Sequence, residues 1–141
     1  MATVDRFEDL EVWKRARVLA NLIYNISTAG SFAKDYGLRD QMQRAAVSIF
    51  SNIAEGFEGY TQLLFIQFLA RAKGSAGELR AQLYLALDRG YISEEQFREA
   101  SSQTEICSKQ IARLIQYLET QPNSRRIRED GAFYDVDTQS F

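Results

Sequence analysis

The chain has 141 residues, 45% hydrophobic and 26% charged, with a formal net charge of -2. This balance suits one soluble globular domain and lacks the strong positive charge of a dedicated nucleic-acid binder. There is no histidine and one cysteine, Cys107, which removes the commonest general base and metal ligand near neutral pH and excludes an intrachain disulfide.

The one proline, Pro122, follows the last helical pattern, so the residues before it can carry long unbroken helices. No run approaches the roughly 18 consecutive apolar residues that a membrane-spanning helix needs. The opening residues 1–6 carry no apolar leader segment, so no signal peptide and a cytoplasmic location are expected.

The first helix is predicted over residues 9–28. Val12, Trp13, Ala16, Leu19, Ala20, Ile23 and Ile26 recur at helical steps and form one apolar stripe, with Lys14, Arg15, Arg17 and Asn21 on the other side. Gly30 is a stop just beyond it. The second is predicted over 38–55, where Met42, Ala46, Ile49 and Ile53 make a heptad-like seam and Gly56 closes the helix. A second stripe of small and polar residues, Ala45, Ser48, Asn52 and Glu55, lies beside that seam.

The third helix is predicted over 61–89. Phe65, Leu69, Ala72, Ala76, Leu79, Leu83 and Ala86 keep the 4, 3 alternation for three heptads. A neighbouring stripe includes Arg71, Ser75, Glu78 and Gln82. Thr61 is the expected N-cap, Tyr60 and Phe65 the expected hydrophobic staple, and Gly90 the stop. Gly74 and Gly77 fall mid-helix, where each costs about 1 kcal/mol relative to alanine, so close helix contact is their expected use. The fourth helix is predicted over 94–119, opened by a capping box of Ser93 and Gln96 with Ile92 and Phe97 as staple. Its seam is Phe97, Ala100, Thr104, Cys107, Ile111, Leu114 and Leu118.

The apolar period is helical throughout, with no sustained strand period. Short connections then give an all-α, antiparallel up-down-up-down four-helix bundle over residues 1–120. Residues 121–141 are unpatterned and read as a C-terminal tail, flexible or docked on a partner.

Little chemistry is visible. Cys107 lies on the apolar seam and reads as a small buried hydrophobe, with no histidine to activate it. Glu55 and Glu78 resemble the paired carboxylates of di-iron bundles, but those need Glu-x-x-His elements. No catalytic residue, metal or cofactor is therefore expected. The two glutamates are better matched by arginines in structural ion pairs, with Arg44 and Arg71 as partners and Arg80 a further candidate.

In order, the chain carries residues 7–13 (Phe-Glu-Asp-Leu-Glu-Val-Trp), residues 44–49 (Arg-Ala-Ala-Val-Ser-Ile), residues 52–56 (Asn-Ile-Ala-Glu-Gly) and residues 74–79 (Gly-Ser-Ala-Gly-Glu-Leu), with Gly90-Tyr91-Ile92 after the third helix. Over about residues 7–118 it resembles the four-helix-bundle proteins encoded in intervening sequences of bacterial large-subunit ribosomal RNA genes. That superfamily also holds accessory proteins of diversity-generating retroelements. The resemblance implies a ring-shaped homopentamer and no enzymatic activity. Its retroelement branch implies contact with nucleic acid and a reverse transcriptase through a basic surface. This chain departs from the pattern after residue 57, where Glu58-Gly59-Tyr60-Thr61-Gln62-Leu63-Leu64 replaces basic residues. That loss weakens a nucleic-acid reading, because phosphate neutralisation supplies much of such binding.

The expected function is a cytoplasmic, non-enzymatic bundle that self-associates as an interaction or scaffold module, with a further protein partner and no membrane. Ser48, Asn52, Ser75 and Gln82 are left over from the monomer's core and are expected to face a neighbouring copy or a central channel. The alternative is nucleic-acid binding through Lys14, Arg15, Arg17, Arg125, Arg126 and Arg128.

Overall fold

The computed structural model describes residues 2–121 and 127–129. Four helices dominate: α1 (Glu11–Ser27), α2 (Tyr36–Glu58), α3 (Gln62–Asp88) and α4 (Glu94–Thr120). α2 packs most extensively on α3, then α3 on α4, α1 on α2 and, most sparsely, α1 on α4. Sequence neighbours are therefore neighbours in space, and the α1–α4 contact closes the cycle. The result is the antiparallel up-down-up-down bundle expected from the seams and the short connections.

The seams form the core. Every residue of the four predicted seams is buried except Trp13 and Phe97, which are half-buried against it. The caps follow their predicted chemistry. Thr61 Oγ1 accepts from the Leu64 amide at 3.1 Å. Ser93 and Gln96 form the full reciprocal capping box. Gly30 and Gly90 adopt φ of 58° and 72°, the left-handed region that only glycine enters freely.

Three expectations change. Residues 7–9 form a 3-10 turn, and α1 begins only after Leu10, which is fully buried. Gly56 does not end α2, which continues to Glu58. Instead a Cβ at Gly56 would lie 2.8 Å from both Phe65 Cδ1 and Phe68 Cβ, so this glycine lets α2 and α3 approach closely beside their connection. Tyr60 is 92% exposed and makes no staple. To this all-α bundle the structure adds one short ribbon. Short strands β1 (Ala2–Val4) and β2 (Ile127–Glu129) pair antiparallel, with Thr3 opposite Arg128. Three residues are too few to print a period of two, so the ribbon leaves no sequence signal. It folds part of the expected tail back onto the start of the chain, and the rest of that tail lies outside the described residues.

The opposite end of the bundle is tied by Asp35, the N-cap of α2. Its carboxylate accepts from the Leu38 amide at 3.1 Å and from the Tyr91 hydroxyl at 2.8 Å. Tyr91, in the α3–α4 connection, stacks on the fully buried Phe32 of the α1–α2 connection at 5.1 Å. Both hairpin connections are thus joined through one carboxylate. The Leu38 amide, then the Tyr91 hydroxyl, then the charge of Arg89 hold its pKa below the ordinary 3.8.

Two outcomes follow from this packing. Gly56→Ala overpacks the α2–α3 contact and lowers stability by about 1–3 kcal/mol, read from urea unfolding. Asp35→Ala lowers the melting temperature near neutral pH. Because the folded-state pKa of Asp35 is depressed, its contribution is complete above the ordinary 3.8 and is lost as pH falls through the lowered value. The gap in melting temperature between the unaltered chain and the variant therefore narrows at acid pH, and an unchanged gap would remove this account of Asp35.

Candidate interaction surface

Cys107 is fully buried, and burial pushes its thiol up to about 12, against a smaller opposing effect of the Arg15 charge. A thiol held protonated is a poor nucleophile. Among the described residues no cluster of three or more histidine, cysteine, aspartate or glutamate side chains could hold a metal ion.

The small polar stripes of α2 and α3 meet each other. Asn52 Nδ2 donates to the Ser48 carbonyl at 2.8 Å and to Ser48 Oγ at 2.9 Å. Ser48 Oγ lies 2.9 Å from Ser75 Oγ, so its proton is free to be donated across the helix pair. The residues expected to be left over by the monomer are therefore largely used within it. They are small because α2 and α3 run close together, and polar because they bond each other. Gln82 alone keeps an incomplete partner set. Its Nε2 donates to Glu78 Oε1 at 3.2 Å, while its buried Oε1 has no partner among the described residues.

The ion-pair candidates lie elsewhere than on internal seams. Arg44, Glu55, Arg71 and Glu78 are all exposed, and no ion pair joins them among the described residues. Arg71 sits over the Phe68 ring, 5.0 Å from its centroid. Arg80 pairs with Glu105 at 2.8 Å instead, linking α3 to α4. Arg44 borders a shallow hollow of about 480 Å³ with Tyr24, Asp40 and Ser51.

The least expected feature lies on the outer face of α3. Gln67, Ala70, Gly74, Gly77, Ala81 and Tyr84 are exposed and follow one another at steps of 3, 4, 3, 4 and 3. A Cβ added at Gly74 or Gly77 would meet nothing within 4 Å, so neither glycine serves a close contact within the chain. The ladder carries the same spacing as the core seam, which was its one signal in the sequence. Having no large apolar residue between Gln67 and Tyr84, it does not stand out by hydrophobicity. By the helical period, Arg71 and Glu78 flank it on one side and Lys73 and Arg80 on the other.

The cationic candidates on α1 are exposed. Lys14 pairs with Glu11 at 3.4 Å, while Arg17 lies 5.8 Å from the centroid of the Trp13 ring and faces no carboxylate in an ion pair among the described residues. Arg15 is likewise exposed. Arg125 and Arg126 lie outside the described residues, and of Arg128 only the backbone, in β2, is described.

Residues 8–113 match the family model described as 23S rRNA-intervening sequence protein. No curated protein matches the chain. Among solved structures, the chain is similar to a protein of unknown function from the S23 ribosomal protein family of Bacteroides thetaiotaomicron, at 24% identity and a TM-score of 0.68. The match covers 74% of this chain and 97% of that one, a likeness of fold.

Proposed function

The chain belongs to the 23S rRNA-intervening sequence protein family, and we propose that it is a non-enzymatic, cytoplasmic bundle that self-associates and acts as an interaction module. The observation that carries this reading is the glycine ladder of α3. Two glycines in an exposed helix interior cost about 1 kcal/mol each relative to alanine, and the chain's own packing gives nothing in return. A second copy brought backbone to backbone would use them, as small residues do wherever helices pack closely. The exposed Arg71 and Glu78 beside the ladder, and Arg44 and Glu55 on α2, then find opposite charges across copies. The preferred assembly is a homopentamer. The absence of histidine and the burial of Cys107 support a role without catalysis, and no described helix is long and apolar enough to cross a membrane.

A second reading, nucleic-acid binding, is favoured by one observation. Lys14, Arg15 and Arg17 crowd one turn of α1, with Arg17 free of any ion pair among the described residues.

Light scattering after size exclusion tests self-association. The expected mass is about five times 16.1 kDa. Gly74→Arg with Gly77→Arg gives a 16.1 kDa species with unchanged helical circular dichroism. A monomer from the unaltered chain overturns self-association. Gly74→Ala alone stabilises the dissociated chain by about 1 kcal/mol while weakening assembly. For the second reading, a labelled RNA or DNA is retarded at about 50 mM salt and released as salt rises. Absence of any shift at that salt removes it.

A further inference from the structure

The outer face of α2 has the form of a counterpart to the α3 ladder. On the side away from the α2 seam, Arg44, Val47, Ser51 and Ala54 follow at steps of 3, 4 and 3. Arg44 is exposed, and the other three are half-buried. Val47 is the one apolar side chain of this row larger than a methyl. By the helical period, Arg44 and Glu55 lie on the edge of α2 nearer α3, and Arg71 and Glu78 on the edge of α3 nearer α2.

The two rows match level by level. Ser48 Oγ and Ser75 Oγ, 2.9 Å apart, set α2 and α3 level at those residues. The helices are antiparallel, so counting from that level runs in opposite directions along them. Gly74 is then level with Ile49 and Gly77 with Ala46, and Val47 falls between these levels. Glu78 is one residue from level with Arg44, about 1.5 Å. Arg71 is three residues from level with Glu55, about 4.5 Å, which a long side chain spans. A second copy set beside the first by rotation about an axis along the bundle keeps these levels.

We propose that the α3 ladder of one copy packs on the outer face of α2 of a second copy. Val47 seats between Gly74 and Gly77, Arg44 meets Glu78, and Glu55 meets Arg71. This contact rests on self-association through α3 and names the face that the ladder meets. Space for Val47 exists because a Cβ at either glycine would meet nothing within 4 Å. Glu78 already accepts from Gln82 through Oε1, and a carboxylate takes further donors. Ladder against ladder uses these features less well. It sets glycine against glycine with no side chain to fill between them, and it leaves Arg44 and Glu55 without opposite charges. Contact of α3 with α2 is head-to-tail, which closes into a ring when the rotation allows. Because α2 and α3 are neighbours in the bundle, the two faces stand at an angle and turn successive copies toward closure.

Blocking one half at a time tests this contact. One form carries Gly74→Arg and Gly77→Arg, the other Val47→Arg and Ser51→Arg, and circular dichroism checks that each is folded. Each form alone is expected at 16.1 kDa by light scattering. Mixed, one supplies an intact α2 face and the other an intact ladder, so a species of about twice 16.1 kDa forms and grows no further. A mixture of folded forms that stays at 16.1 kDa overturns the proposal. An α2 form that assembles like the unaltered chain also overturns it, and leaves self-association standing as ladder against ladder. A monomer from the unaltered chain removes self-association itself. The exposed Arg44 gives a second measurement that spares the fold. Arg44→Glu raises the dissociation constant about tenfold, and adding Glu78→Arg brings it back. A constant unmoved by Arg44→Glu overturns the pairing.

Discussion

The close approach of α2 and α3 governs much of this bundle. A short connection with Gly56 beside it brings the two helices so near that a single methyl there would press into Phe65 and Phe68. Along the same contact, Ser48, Asn52 and Ser75 exchange hydrogen bonds, which only small side chains at short separation can do. With that pair fixed, α4 continues the packing on α3 and α1 closes the cycle on α2. The remaining contact, α1 with α4, is the thinnest.

Apolar seams were legible in the sequence because a buried side chain has to recur at the helical period to stay buried. Hence Leu69, Leu79, Ile111 and their neighbours are core residues as expected. Small residues were not legible in the same way. Gly56, Gly74 and Gly77 look alike in a helical pattern, yet Gly56 is pressed against two phenylalanines while the other two face open space. A glycine records that nothing stands at a position, not what lies opposite. Asp35 caps α2 through a local bond to the Leu38 amide, which a helix start set at residue 38 passes over; its second partner is not local. Tyr91 lies 56 residues away, and no local pattern announces that contact. The ribbon of residues 2–4 and 127–129 was invisible for the same reason.

Charges divided along a similar line. Glu55 and Glu78 were read as carboxylates in need of partners because they lie beside small residues on helices. The beside-small part holds, but the small residues of the α2–α3 seam satisfy one another. The carboxylates stand outside, in water, with Arg44 and Arg71 exposed as well. Their energetic weight in one chain is slight, since exposed pairs contribute at most about 1 kcal/mol. Any larger effect has to come from desolvation between molecules, where such charges set register and partner choice more than affinity. The four charges that the sequence sets beside small residues thus lie on the outer faces of the helices.

The carboxylate of Asp35 has a last consequence. It joins the two hairpin connections at one end, while the ribbon joins residues 2–4 to 127–129 at the other. Each helical hairpin is therefore clasped to the other at both ends. Helices in solution lose order by fraying from their tips, where the last turns have the fewest bonds. At one end the two connections meet through the side chains of Asp35, Tyr91 and Phe32, and at the other residues 2–4 and 127–129 pair through their backbones. Clasps at both ends oppose gradual loss from the tips and favour loss of order as one unit.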